Sequence, residues 1–496
     1  MYKIRQIKYS SSSVSIQVYR IINRKRVIIR HIGTAKTEIE KNDLIVLAYD
    51  LIKKLSNQLS FFENQSSGKI LNLSQTDFIG IYYGFFYELL SKLLIQIGLD
   101  KVRAPFLLDL AIIRIFEPSS KLRSIELLEE YFGIKHRRQN YYDSAPKWLD
   151  TKKSVENIAV NFAKKHYWFN FDILFYDVTT LYFETFKEDE LRKNGFSKDN
   201  KSQQPQILIA LMVTKEGFPI AYEVFPGNTF EGHTIIPVVK DFVKKNGVKE
   251  FTVVADAAMI STENIKQLTE HKINHIVGAR LGNISNELFE NIDNTLIRED
   301  GKTTRIKTKS GYLICSFSSV RYRKDKYEMD KQIEKAKSVV ENPSKNKKLK
   351  FTQTKAETVE LNQKLIEKTK KLLGIKGYHT NLEESVASNQ LIIERYHELY
   401  KVEQAFRISK NDLQTRPIFH YKEEPIKLHI LICFMALILS KHIELATNIS
   451  IKRFIHECKK ATDARLFDKI TQKEIRIRAK IPDKIMEYLQ NLKLLT

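Results

Sequence analysis

The sequence predicts an α/β fold: a mixed-sheet core with an inserted subdomain, preceded by a small β N-terminal unit and a helical domain. Apolar runs of strand length cluster in one stretch of the chain, at Phe171–Val178, Pro205–Val213, Phe218–Phe225, Phe251–Asp256 and Ile273–Gly278. Helical patterns at His233–Lys245 and Thr262–His271 separate the later runs, and such alternation requires right-handed crossovers and a partly parallel sheet. A long charged stretch then precedes one more helical pattern, which marks an insertion.

The first residues read as three short strands, Lys3–Tyr9, Val14–Ile22 and Val27–Ile32, parted by a serine tract and by Asn23-Arg24-Lys25-Arg26. That basic turn is either a DNA contact or a solvated hairpin tip. A helix, Thr37–Asn64, and a polar linker, Asn64–Lys69, complete a unit over 1–68. Residues 69–168 read as helical, with apolar periodicity through Phe78, Tyr82, Phe85 and Leu89 and again over Leu107–Ile115. Within them Lys135–Tyr142 mixes basic and aromatic residues, which suits phosphate contact and base stacking and equally suits a basic loop with tucked aromatics. The basic and aromatic mix makes 69–168 the candidate nucleic-acid-binding domain.

Residues 169–280 form the first part of the core. Lys215-Glu216-Gly217 joins two of its runs as a hairpin, giving a three-strand meander before the helix-strand-helix-strand series. With a late helix added, that is the ribonuclease-H-like order, in which the first strand and a later parallel strand are neighbours. The late helix, Ser388–Leu413, opens the last part of the core, 386–445. The gap from Asp256 to Glu403 is nearly twice that from Asp177 to Asp256, too long for one connection. Residues 281–385 are therefore an inserted subdomain, with a hairpin at Ser310-Gly311, a basic helix through Arg321, Arg323, Lys324, Lys326, Lys331, Lys335 and Lys337, and the run Lys345–Lys350. Residues 446–496 read as basic and helical.

Three acids mark these elements, two at the ends of apolar runs and one within the late helix. Asp177 closes a row with Phe171, Ile173 and Phe175 on one strand face, where an acid is unusual. Asp256 ends its own apolar run. Glu403 shares a helix stripe with Tyr396, Leu399, Phe406 and Lys410 and is expected to point toward the body of the protein. Each also has a structural reading: Asp177 capping a turn with Thr179 and Thr180, Asp256 capping the next helix, Glu403 pairing with Arg407 four residues on.

With these blocks in this order, the chain resembles the DDE-type transposases of bacterial insertion sequences, in the branch marked by a tyrosine-arginine-glutamate-lysine signature. Tyr396, Glu403 and Lys410 match that signature, and Leu399 stands in the arginine's place, leaving Arg395 or Arg407 to supply the charge. Asp177-Val178-Thr179-Thr180, Gly195-Phe196-Ser197-Lys198-Asp199, Pro226-Gly227-Asn228-Thr229 and Arg416-Pro417-Ile418-Phe419-His420 match further blocks. The resemblance implies a catalytic, metal-holding triad of Asp177, Asp256 and Glu403 around two Mg²⁺ (or Mn²⁺) ions. Hard cations of this kind take carboxylate oxygens, and a pair of them activates one phosphodiester oxygen and stabilises the other. It also implies DNA contacts from Tyr396, Lys410 and Arg407, no covalent enzyme intermediate, cut-and-paste strand transfer, and a homodimer pairing two terminal inverted repeats before capture of target DNA.

Composition agrees with a nucleic-acid partner. Among 496 residues, 82 Lys and Arg against 59 Asp and Glu give a net charge of +23 and a pI near 9.5, a surplus that favours polyanions. Three scattered cysteines exclude a CxxC zinc site and point to a reducing compartment. No GxxxxGK[ST] phosphate loop occurs. Pro226-Gly227-Asn228-Thr229 is read as a turn, His233 as structural or substrate-side, and Asp199 as supporting. The amino terminus lacks an apolar signal core, and the run Leu428–Leu439 is too short to span a bilayer. The expectation is a prokaryotic, cytoplasmic, nucleoid-associated protein with no membrane. Two other readings compete: a ribonuclease-H-like nuclease without strand transfer, and a non-catalytic DNA-binding protein derived from a transposase.

Overall fold

The computed structural model describes residues 2–9, 13–22, 25–55, 75–196, 203–248, 250–259, 261–341, 349–355 and 358–495. Asn23 and Arg24 of the basic turn, the centre of the serine tract, Asn64–Lys69, Ser197-Lys198-Asp199 and Lys345–Lys348 lie outside them.

In chain order the elements are β1 (Tyr2–Lys8), β2 (Val14–Ile22), β3 (Lys25–Ala35), α1 (Glu38–Leu55) and β4 (Thr76–Tyr82), then α2 (Gly84–Ile97), α3 (Pro105–Phe116), α4 (Lys121–Phe132), α5 (Arg138–Leu149) and α6 (Lys152–Tyr167). Next come β5 (Ile173–Tyr182), β6 (Gln206–Thr214), β7 (Pro219–Pro226), α7 (Ile235–Asn246), β8 (Thr252–Ala255), α8 (Thr262–Glu270) and β9 (Asn274–Ala279). The chain continues through α9 (Asn286–Thr295), β10 (Thr303–Thr308), β11 (Gly311–Phe317), α10 (Ser319–Glu341), β12 (Thr352–Lys355), β13 (Thr358–Leu361), α11 (Gln363–Lys371) and β14 (Ile375–Thr380). It ends with α12 (Asn389–His397), α13 (Tyr400–Arg407), α14 (Glu423–Thr447), α15 (Ile451–Cys458), β15 (Asp463–Asp468), β16 (Lys473–Arg478) and α16 (Asp483–Asn491).

The chain divides into two compact units. The first comprises Met1–Leu89, Glu129–Ile134 and His456–Glu487. The three N-terminal strands pair in the order β1-β2-β3 as an antiparallel sheet, and α1 seals one face through Leu44 and Ala48 against Ile16, Val18 and Ala35. A second sheet, β16-β15-β4, corrects the sequence reading twice. Residues 76–82 are a strand, because Gly80 takes φ 130°, a conformation no helix accepts, and β4 pairs with β15. Residues 446–496 are not all helical, because Lys473–Arg478 alternates with period two. Across that hairpin Arg465 donates to both Glu474 oxygens at 3.1 and 3.0 Å, and Arg478 forks between Asp463 and Glu88, the bidentate geometry that suits arginine.

The second unit comprises Leu90–Leu128, Lys135–Ile455 and Tyr488–Thr496. Its centre is a mixed eight-stranded sheet in the order β10-β11-β14-β9-β8-β5-β6-β7. The meander β5-β6-β7 is antiparallel, while β5-β8 and β8-β9 are parallel. The stretch 281–385 is therefore only partly a separate insertion. Its strands β10, β11 and β14 continue the central sheet beyond β9, with a core of Leu281, Ile292, Leu313, Cys315 and Ile375. The basic helix α10 and its neighbours keep a second core around Met329, Ala336, Phe351 and Ile366.

Helix α14 is apolar all round, so it must be buried. It is long and apolar enough to cross a bilayer by composition, yet 83% of its most apolar window is covered by protein, including α3, α5, α6 and β7. Glu423 and Glu424 complement the positive end of its dipole, and Asn448 terminates it in the left-handed region at φ 56°.

His275, fully buried on β9, is pushed down to about 4 by burial. Unfolded chains protonate histidine near 6.5, so this group contributes stability that is whole above about pH 6.5 and lost as pH falls toward 4. The loss from this one site should approach about 3 kcal/mol. Urea unfolding of the wild type and His275→Gln at pH 7 and pH 4.5 checks it: the variant should lose less stability between the two, and equal losses would contradict the assignment.

Candidate active site

The site begins with strand pairing. Strands β5 and β8 run parallel with Tyr176 opposite Ala255, so Asp177 and Asp256 are the next residues along each strand and share one face. Crevices at the carboxyl ends of parallel strands are where open α/β sheets bind ligands. Asp177 is half-buried, and its Oδ1 accepts a hydrogen bond from the Val178 N–H at 2.8 Å. Asp256 is exposed just past β8. Its Oδ1 accepts from the Tyr396 hydroxyl at 2.9 Å, and its carbonyl accepts the Met259 N–H of the following turn.

The late helix departs from the sequence reading. Instead of one helix over Ser388–Leu413 there are two, α12 and α13, followed by a π-helical turn, Ile408–Asp412. The stripe is thereby divided. Tyr396, Leu399 and Phe406 are buried, but Glu403 is exposed and does not point into the body of the protein. Helix α13 packs on β5 and β6, which brings Glu403 to the same end of the sheet as the aspartates. Buried Leu399 fills the place where the signature has arginine. Of the two candidate substitutes, Arg395 is engaged with Glu398 at 3.0 Å, and Arg407 lines a separate cleft with Glu216, Tyr400, Gln404 and Lys441 to which none of the three acids contributes. Lys410, in the π turn, lines a small cavity with Thr179 and Leu181 of β5.

Sequence reasoning missed Lys376. It lies on β14, inside the stretch read as an insertion, and no motif marks it. Its ammonium sits 4.5 Å above the Tyr396 ring and 5.5 Å above that of Tyr378. Burial, and then Arg321, lower its pKa, while Asp256 and Glu403 pull it back up. Tyr396 is held well above the ordinary phenol range, first by burial, then by Asp256 and its hydrogen bond, then by Tyr378 and Glu403. Tyr396 therefore stays protonated as a donor, and both groups feel Asp256 and Glu403 together. Gly278 of β9 makes room for the phenol, since a Cβ there would lie 2.6 Å from the Tyr396 hydroxyl.

Among the described residues no three His, Cys, Asp or Glu side chains are gathered closely enough to form a metal-ligand group. The three acids share one end of the sheet without converging. Carboxylates repel one another, and both aspartates already hold protein hydrogen bonds. The donor chemistry, hard carboxylate oxygens within β5, just past β8 and on one helix, is of the kind that Mg²⁺ or Mn²⁺ takes. His233 is exposed in a short turn against Phe230, and Gly227 is structural, its missing Cβ leaving room for the Gln206 and Lys193 carbonyls.

A family model described as the transposase DDE domain matches residues 168–439, more than half of the chain. No curated protein matches the sequence. Among solved structures, the piggyBac transposase synaptic complex with hairpin DNA is similar at a TM-score of 0.34 and 13% identity, over 58% of this chain and 51% of that one. The chain thus spans about half the length of that protein.

The packing of Gly278 against Tyr396 predicts a coupled pair. Gly278→Ala should cost about 1–3 kcal/mol through overpacking, and Tyr396→Phe in that background should recover part of the loss by removing the hydroxyl. Equilibrium unfolding of the four proteins in a double-mutant cycle checks this, and strict additivity would show that the two positions do not touch.

Proposed function

The chain belongs to the transposase DDE-domain family, and from that premise we propose that it cuts and rejoins DNA at the ends of an insertion sequence by a cut-and-paste reaction. The observation that carries this reading is the in-register parallel pairing of β5 with β8, which seats Asp177 beside Asp256, with the helix of Glu403 packed over β5. An antiparallel meander leading into parallel strands also supports a ribonuclease-H-like core.

In this reading Asp177, Asp256 and Glu403 would hold two Mg²⁺ or Mn²⁺ ions, which would supply Lewis-acid activation of one phosphodiester oxygen and charge stabilisation of the other. The chain's own groups do the rest. The Tyr396 hydroxyl fixes one Asp256 oxygen and so orients that carboxylate. Lys376 sets a positive charge within the field of Asp256 and Glu403, where it offsets their repulsion and faces an entering phosphate. Exposure of Asp256 and Glu403 admits a substrate as wide as duplex DNA. Lys410 and Arg407, both at the carboxyl end of α13, contact the backbone, lysine as a point charge and arginine as a fork. The protein acts as a homodimer on two terminal inverted repeats and a target duplex, in a prokaryotic cytoplasm.

The test is cleavage of linear DNA carrying the element's own ends with Mg²⁺ or Mn²⁺. Asp177→Ala, Asp256→Ala and Glu403→Ala should each retain DNA binding and lose cleavage by a factor of about 10²–10³, the scale of removing a principal electrostatic contributor. Chelation by EDTA should stop cleavage in the wild type and leave binding intact. Variants that cut as well as the wild type would remove the triad assignment. Cutting without end joining would favour a nuclease.

A further inference from the structure

A second concentration of charge lies away from the acids, between the end of α3, the start of α4 and the segment following the π turn. A cavity of about 310 Å³ there is lined by Arg114, Ser119, Ser120, Lys121, Arg416 and His420. Arg114 is 3% exposed, and its Nε has no hydrogen-bond partner. Lys121 is 7% exposed, with its ammonium 5.5 Å above the Tyr141 ring. The groups acting electrostatically on Lys121 are Arg114 and Cys433, with no carboxylate among them. His420 and His429 feel the same two cations, and His420 is driven down to about 3 by burial and by those charges. Protein interiors ordinarily pair a buried cation or exclude it. Here the two sit together, and no ion pair joins either to a carboxylate among the described residues. Burial and then Arg114 push the Lys121 ammonium well below its ordinary pKa, a strain that a bound anion would relieve. Both lie beside the first turn of a 12-residue helix, α4, whose positive dipole end adds to them.

We infer that this pocket is an anion site that takes one backbone phosphate of bound DNA. The inference rests on the transposase reading for the identity of its ligand, but its geometry is independent of the triad. Phe419 and Tyr421 project into solvent beside it, 61% and 71% exposed, as platforms for sugar or base. The Arg416 guanidinium lies 5.7 Å from the Tyr182 ring at the end of β5, the strand that carries Asp177. Five residues of strand span about 17 Å, so Tyr182 stands about that far along β5 from Asp177, and the phosphate held here would belong to a nucleotide removed from the cut rather than to the scissile one. A phosphate fixed at that distance sets the register of the duplex and so determines which bond meets the acids.

The experiment compares wild type with Lys121→Met, and with Arg416→Gln at the rim should the buried variant fail to fold. The first readout is the thermal midpoint during titration with inorganic phosphate at constant ionic strength. The second is the salt dependence of metal-free binding to the element's ends. Wild type should show a saturable rise in midpoint that either variant blunts. Each variant should also lower the slope of log K against log salt by about 1, the loss of one phosphate contact. Equal phosphate responses in wild type and variants would overturn the site. A phosphate response without a change in slope would overturn the DNA assignment, leaving a small-anion pocket. A wild type that binds no DNA would sink the transposase reading itself, while the phosphate titration would still report on the pocket.

Discussion

The parallel pairing of β5 with β8 is the constraint on which the site depends. A parallel ladder has a single register once its crossover helix is packed, and here that register sets Tyr176 against Ala255. The candidate site is then counted from the same row: Asp177 within β5 and Asp256 just past β8, and β9 on the far side of β8 with a glycine where the phenol must enter. A slip by one residue would turn Asp177 to the opposite face of the sheet. The apolar residues preceding it, Leu174, Phe175 and Tyr176, are fully buried, so hydrophobic burial holds the acids in register.

Charge is distributed in two ways within the second unit. Around the acids each positive or polar group has an opposite: Lys376 faces Asp256 and Glu403, and the Tyr396 hydroxyl is bonded to Asp256. Around Lys121 the acting groups include no carboxylate, and burial and the neighbouring Arg114 push its pKa well down. The first arrangement is stable without ligand; the second is costly to fold and becomes favourable when an anion arrives. Both groups lie in the second unit, among the elements that meet the central sheet.

Much of this was legible in the sequence because the relevant patterns were local. The meander, both crossover helices, the parallel neighbours and the buried nature of α14 followed from apolar periodicity and turn residues. What was lost depended on partners distant in the chain. β4 carried helical spacing at Phe78 and Tyr82, yet Gly80 and pairing with β15 made it a strand. The stretch after residue 281 read as a separate body because nothing local shows that β14 pairs with β9. Lys376 was missed for the same reason, having no motif of its own and acquiring meaning only beside Tyr396. The exposed setting of Glu403 was hidden by the break between α12 and α13, which a stripe drawn on an unbroken helix could not register.

The pairing of β4 with β15 sets a timetable for the nascent chain. The two strands lie near opposite ends of the sequence, and the ribosome, at about 5–20 residues per second, needs on the order of 20–80 s to travel from one to the other. Throughout that interval β4 lacks β15, with Phe78, Ile79 and Ile81 on a strand that exposes them even when folded. The first unit is therefore completed only after β15 has been made, long after its other strands. Premature termination before residue 463 would deprive the beginning of the protein of its second sheet.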